Sequence, residues 1–217
     1  RPPRSTLFPY TTLFRSFADE LVVLDSGSTD DTRAIAEAHN ARVFVEPFKG
    51  YGPQKQSALD KATHRWVLLL DADEALTVQA ATAIENVLIA PKAAGYTLPR
   101  KEWMFWRWPH PAMRFNRHLR LFDKTQGRID GDPIHAAPKV NGAVAKLRAP
   151  FLHYGERDIH AKVDKINRYS TGLARDGRKN RQYFLVPRMV VYPPFVFLRH
   201  YIGKRQFLNG TAGFIVS

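Results

Sequence analysis

Along the first third of the chain, short apolar runs alternate with amphipathic stretches. Leu21-Val-Val-Leu24, Val43-Phe-Val45 and Trp66-Val-Leu-Leu-Leu70 are compact and rich in β-branched or aromatic residues, which predicts three buried strands. Between them, residues 30–39 place Ala34, Ile35 and Ala38 on one helical face, and residues 54–62 do the same with Ala58, Leu59 and Ala62. The predicted order is β-α-β-α-β. Such alternation implies an α/β fold with a mainly parallel sheet, helices over its faces and ligands bound beyond the carboxyl ends of the strands. Asp25 and Asp71 stand at those ends.

The pattern changes towards the C-terminus. From 158 to 174, Ile159, Val163, Ile166 and Leu173 recur at helical spacing while His160, Lys162, Lys165 and Arg168 take other faces, predicting an amphipathic basic helix. Between 187 and 208, apolar residues are interrupted by Arg188, Arg199, Lys204 and Arg205. The apolar stretches on either side of Pro193-Pro194 fall short of the ~20 residues of a membrane span. This basic, apolar half suits attachment to an anionic membrane surface; packing within the protein explains the same pattern equally well.

Composition adds a division of charge. The 217 residues contain no cysteine, which removes thiolate and disulfide chemistry, and carry a net charge of +13. Residues 1–96 hold ten basic and twelve acidic side chains, whereas 97–217 hold 23 and eight. Arg100, Arg107, Arg114, Arg117 and Arg120 interleave with Trp103, Trp106 and Trp108, a mixture suited to a phosphorylated saccharide or to single-stranded nucleic acid. A basic nucleic-acid-binding module without enzymatic activity is therefore the alternative to an enzyme.

Two acidic motifs favour the enzyme. In Asp25-Ser-Gly-Ser-Thr-Asp-Asp-Thr32, Gly27 permits a tight turn, Ser28 and Asp31 suit a capping box, and Asp25 is placed to accept hydrogen bonds from a nucleotide base or ribose. In Asp71-Ala-Asp73-Glu74, strand-like parity directs Asp71 and Asp73 to one site, where hard oxygen ligands suit Mg²⁺ or Mn²⁺ on a diphosphate. Asp73 or Glu74 serves equally as a cap for the turn or for a helix starting near Thr77.

These motifs, with Gly52-Pro-Gln-Lys55, Leu119-Arg-Leu-Phe122, Pro133-Ile-His135, His153-Tyr154, Lys165-Ile-Asn-Arg-Tyr-Ser170 and Gly203-Lys-Arg-Gln-Phe-Leu-Asn-Gly210, resemble the inverting family 2 glycosyltransferases of the GT-A fold, and within them the lipopolysaccharide-core enzymes of Gram-negative bacteria. The resemblance spans about residues 17–217. It implies a Rossmann-like GT-A domain over 17–150 and a basic helical region over 151–217. By the same resemblance Asp25 contacts the nucleotide, Asp71 lies near its ribose or diphosphate, and Asp73 coordinates the metal. Gln54 and Lys55 open a helix where amides and a cation face the diphosphate or donor sugar. An inverting transfer needs a base for the acceptor hydroxyl. Relatives often carry an acid after the histidine of the Pro133-Ile-His135 segment, but here Ala136 follows, leaving Asp132 as the leading base, His135 as helper or acceptor-binding residue, and Asp130 as third choice.

The resemblance further implies a UDP-linked nucleotide-sugar donor, a lipid-linked saccharide acceptor, no nucleic-acid partner, and a cytoplasmic enzyme peripheral to the inner membrane. Residues 1–16 fit none of this and resemble the translation of a sequencing adapter, so native sequence is expected to begin near Phe17, without the first strand of relatives. The ending Gly213-Phe-Ile-Val-Ser217 suggests a further C-terminal helix. The chain as written is accordingly expected to fold poorly and to transfer little sugar.

Overall fold

The structure, a computed structural model, describes residues 18–130, 136–155, 158–164, 166–167, 170 and 185–217, with side chains omitted at 185–188. The expectations for residues 1–16, Asp132 and His135 lie outside these residues. The chain divides into two units. One comprises the described residues up to Arg100 with Arg117–Leu152, and the other Lys101–Asn116 with His153–Ser217.

In the first unit, β1 (Val22–Asp25), α1 (Thr32–Ala38), β2 (Arg42–Val45), α2 (Tyr51–Lys61) and β3 (Trp66–Leu68) follow the predicted order. The strands β1 and β2 pair in parallel, in register from Val22 opposite Arg42 to Asp25 opposite Val45. After β3 come β4 (Glu74–Leu76), α3 (Val78–Ile89), β5 (Gly95–Glu102), β6 (Arg117–Asp123), β7 (Gly127–Ile129), β8 (Pro138–Val140), β9 (Val144–Lys146) and β10 (Phe151–His153). A six-stranded sheet has the order β3-β6-β5-β10-β4, with β9 also against β5.

The α/β class is the expected one, but the pairing is mixed where a mostly parallel sheet was expected. β3 and β5 both run antiparallel to β6, whereas β9 is parallel to β5. The reason is the connection. Residues 103–116, which lead from β5 to β6, contain no helix to carry the chain back over the sheet, so the second strand returns in the opposite sense.

Burial explains why these elements form one layer system. Leu76, Ala80, Ala81, Ile84, Tyr96, Leu98, Leu121, Leu147 and Phe151 make the main core, in which α3 covers the sheet with a stripe at i, i+1 and i+4. Thr77 fixes where α3 begins, accepting from the Ala80 N–H at 3.1 Å and donating its hydroxyl to the Pro150 carbonyl at 2.8 Å. A second cluster, Leu59, Leu69, Phe122 and Ile129, seats α2. Glu46 reinforces that seat, accepting from Lys61, from Ser57 at 2.8 Å and from Lys49 at 3.2 Å, which together lower its carboxyl to about 2.

The second unit has its own small core of Met104, Phe105 and Ala212. Its described helical parts are 159–164, 166–167, α4 (Leu185–Leu198), a π-helical turn (Arg199–Gly203), a 3₁₀ turn (Gln206–Asn209) and α5 (Gly210–Val216). The helix α4 runs through Pro193 and Pro194, where the sequence suggested a break. Gly213 is required by close approach, because a Cβ there would collide with the Gln206 carbonyl.

At the end of β6, Asp123 is fully buried and accepts from Arg65 Nε at 2.8 Å, Thr125 N at 2.9 Å, Thr125 Oγ1 at 2.7 Å and Gln126 Nε2 at 3.2 Å. Burial alone would raise its pKa, but these donors outweigh it and hold the carboxyl well below the usual range. A depressed folded pKa gives stability that is fully present above the unfolded value near ~4 and is lost as pH falls from there through the lower folded value. Asp123→Ala is expected to cost about 2–3 kcal/mol at pH 7 in urea unfolding, and Asp123→Asn to lose less stability than the parent between pH 5 and pH 2.

Candidate functional site

The site is built at the ends of β1 and β3. Asp25 ends β1, and Gly27, at φ 95°, turns the loop so that its own N–H and that of Ser28 both donate to Asp25 Oδ2 at 3.0 Å. The Ser28 hydroxyl donates to Oδ1, and Arg33 Nε stands 4.0 Å from Oδ2. These contacts, the Ser28 hydroxyl foremost, lower the pKa against the opposing effect of burial. Asp25 is therefore an ionised, buried carboxylate that organises its loop. The suggested capping box of Ser28 and Asp31 does not form, because Ser28 turns to Asp25 and the helix start is bonded by Asp30, which accepts from Thr32 N–H at 3.1 Å.

From this loop a polar chain crosses the first unit. Gln54 Nε2 donates to Ser26 Oγ at 3.0 Å, tying the first turn of α2 to the Asp25 loop. One residue on, Lys55 Nζ lies 2.6 Å from Asp71 Oδ1, just beyond β3. The other Asp71 oxygen is 3.3 Å from an Arg120 Nη2, and the same nitrogen pairs with Glu74 Oε1. The backbone closes the turn, with Asp71 N–H donating to Glu74 Oε2 at 3.1 Å and Glu74 N–H to the Asp71 carbonyl at 2.9 Å. Four sequence-predicted residues, Asp25, Gln54, Lys55 and Asp71, are thus joined in one network.

Asp73 lies in the exposed turn between Asp71 and Glu74, next to this network. Its strand-like parity with Asp71 does not hold, because β3 ends at Leu68 and residues 72–73 turn before β4. Of the three carboxylates in the motif, Glu74 is the one drawn inside. Its side chain is 1% exposed, and burial pushes its carboxyl up while Arg120 pulls it down.

Arg120, which in sequence belongs to the basic and aromatic stretch suited to a phosphorylated ligand, is instead internal. It is 5% exposed, its guanidinium sits 5.3 Å above the Phe151 ring, and it serves Asp71 and Glu74. Arg117 is also engaged internally, donating to the Thr97 carbonyl at 2.6 Å, to Thr97 Oγ1 at 3.2 Å and to the Leu147 carbonyl. A signal for Arg120 existed in Leu119-Arg-Leu-Phe122, where a cation interrupts a strand made of core residues. Asp130, the third base choice, lies 2.6 Å from Lys139 on the β7–β8 hairpin.

A Glu–Arg pair this deeply placed fails badly when one partner is removed. Arg120→Leu is expected to destabilise the first unit by about 3–5 kcal/mol in chemical unfolding, and Glu74→Leu combined with it to recover part of the loss, since no uncompensated buried charge then remains.

Comparison with known proteins shows the family. The family description Glycosyl transferase family 2 matches residues 13–146. The lipopolysaccharide core biosynthesis glycosyltransferase LpsC of Rhizobium meliloti is 30% identical over 209 residues, covering 90% of this chain and 76% of that protein. An uncharacterized glycosyltransferase of Rickettsia conorii is 30% identical over 220 residues, 94% of this chain and 77% of the other. Among solved structures, S. aureus TarS 1-349 in complex with UDP-GlcNAc aligns with a TM-score of 0.46 at 15% identity, over 71% of this chain and 57% of that one. Glucosyl-3-phosphoglycerate synthase from Mycobacterium tuberculosis aligns at 0.45 and 16%, over 72% and 69%. The chain belongs to glycosyl transferase family 2.

Proposed function

We propose that this family 2 glycosyltransferase moves a hexose from a UDP-linked nucleotide sugar, with inversion, to a lipopolysaccharide-core or other lipid-linked saccharide. The observation that carries the reading is the network from the Asp25 loop through Gln54 and Lys55 to Asp71. It assembles two carboxylates, an amide and an ammonium from three separate segments within the residues that the family description matches. An α/β sheet that gathers such groups at strand ends is suited to a nucleotide diphosphate. Kinship with LpsC supports the lipopolysaccharide-core acceptor. The reaction is assigned to the cytoplasmic face of the inner membrane of a Gram-negative bacterium.

In this mechanism Asp25 keeps its loop in the shape that receives the base and ribose. Asp71 faces the ribose or diphosphate, and Lys55, now paired with Asp71, supplies a mobile positive charge to the phosphate oxygens. Mg²⁺ or Mn²⁺ keeps several waters and would bind through one or two carboxylates together with substrate phosphates. Asp73, exposed beside Asp71, is the residue assigned to hold it. When bound, the metal offsets negative charge on the departing diphosphate.

Asp132 is assigned as the base that takes the proton from the acceptor hydroxyl, with His135 orienting that hydroxyl. Both assignments come from the sequence, as these residues lie outside those described. With UDP-hexoses and Mg²⁺ or Mn²⁺, Asp73→Asn is expected to lower transfer at least about a hundredfold and to abolish the metal dependence of donor binding. Asp132→Asn should lose turnover by about 10²–10⁴-fold while calorimetric donor binding persists. Retained turnover would move the role to His135 or Asp130.

A further inference from the structure

In the second unit, apolar side chains are exposed to an extent that a water-facing helix does not require. Residues 189–195 are exposed at seven consecutive positions, about two helical turns of α4. Met189, Val190 and Val191 are each 66% exposed and Phe195 is 59% exposed. Leu198 at the end of α4 and Ile202, Phe207 and Phe214 beyond it are exposed as well. Phe197, Tyr201, Phe207 and Phe214 pack ring against ring, from Phe197 on Tyr201 at 5.2 Å to Phe197 on Phe214 at 5.3 Å, which joins the end of α4 to α5 as one folded piece.

Charge on this piece has one sign. Residues 185–217 contain Arg188, Arg199, Lys204 and Arg205 and no Asp or Glu. Lys204 donates to Asn116 Oδ1 at 2.7 Å and Arg205 to the Ala112 carbonyl at 3.4 Å, neutral partners that leave the charge in place. We propose that residues 185–217 insert shallowly into an anionic lipid leaflet, α4 lying in the interface with Arg199, Lys204 and Arg205 at the phosphate level. The proposal deepens the membrane side of the function above by naming the segment and its mode of attachment.

Three observations select this mode. A helix of fourteen residues extends about 21 Å, short of the ~30 Å hydrocarbon core, and no helix among the described residues is long and apolar enough to cross. Pro193 and Pro194 lack N–H groups, so the carbonyls of Met189 and Val190 lose their helical donors, which is costly in hydrocarbon but met by water at headgroup depth. A second copy of the chain would cover only one face of α4 and would bring like charges together, whereas a leaflet of anionic lipid surrounds the apolar faces and matches the cations.

Flotation of the full chain with phosphatidylglycerol-containing and pure phosphatidylcholine vesicles tests the proposal, with UDP-hexose binding measured in parallel. The full chain should float with the anionic vesicles and much less with the neutral ones. Val191→Glu with Phe195→Glu should weaken that binding at least about tenfold, and Arg199→Glu about fivefold or more on anionic vesicles alone. UDP-hexose binding should stay unchanged in these variants, so loss of membrane binding and loss of the donor reading are separate results. Absence from both vesicle types, or undiminished binding by both variants, overturns the proposal. So does a dimer in light scattering that Val191→Glu with Phe195→Glu dissociates without any vesicle binding, since the occupant is then a second copy.

Discussion

The site depends on one buried cation. Arg120 sits on β6, between β3 and β5 in the sheet, with its guanidinium over Phe151 and its Nη2 shared by Glu74 and Asp71. A guanidinium at this depth carries a desolvation cost of several kcal/mol, which only close carboxylates offset. The requirement acts on the backbone. Residues 71–74 must turn back on themselves to bring both acids to one nitrogen, and this turn is what converts the end of β3 into β4 and leaves Asp73 outside. Core packing, sheet order and the position of the acidic motif are therefore coupled through a single side chain.

The same arrangement separates the acids by task. Glu74 is internal and bears the burial cost, Asp71 is half-exposed with an oxygen towards each of Lys55 and Arg120, and Asp73 is exposed. Negative charge at Asp71 and Glu74 is thus balanced within the protein, which orders both side chains. Asp25 is a parallel case at the neighbouring strand end. Its ionised carboxylate binds the backbone N–H groups of its own loop, and that loop then reaches Gln54 through Ser26.

The order of β1, β2 and β3 and of α1 and α2 was legible because apolar spacing is local. Burial followed it in α2, where Leu59 is inside, but not in α1, where Ala36 is the buried residue and Ala34 and Ala38 are exposed, nor at Val45 of β2, which is exposed. The acidic motifs were legible for the same reason, as each lies in consecutive residues at a strand end. What was not legible is compensation at long range. Arg120 and Glu74 are 46 residues apart, and nothing near either in the chain announces the partner. Arg117 was misread with it, since an arginine that donates to backbone carbonyls across a sheet looks in sequence like one that faces a phosphate. The antiparallel return of β6 was not legible either, because it depends on residues 103–116 lacking a helix, and a stretch so rich in arginine and tryptophan has the composition of a binding surface as much as of a connection.

The net charge of +13 consequently divides into two populations with different physics. Lys55, Lys61, Arg65, Arg117 and Arg120 are held against carboxylates or carbonyls in the first unit, where they fix strand ends, the acidic turn and the seat of α2. Their charge is locally cancelled or confined, and salt will affect it little where the pair is buried. Residues 185–217 contain no acid, and Arg199, Lys204 and Arg205 lie in a stretch with many exposed apolar side chains, so their field extends outward. A basic isoelectric point alone would suggest one long binding face. The partition separates first-unit cations held against acids and carbonyls from Arg199, Lys204 and Arg205, on which the proposed contact with an anionic surface rests.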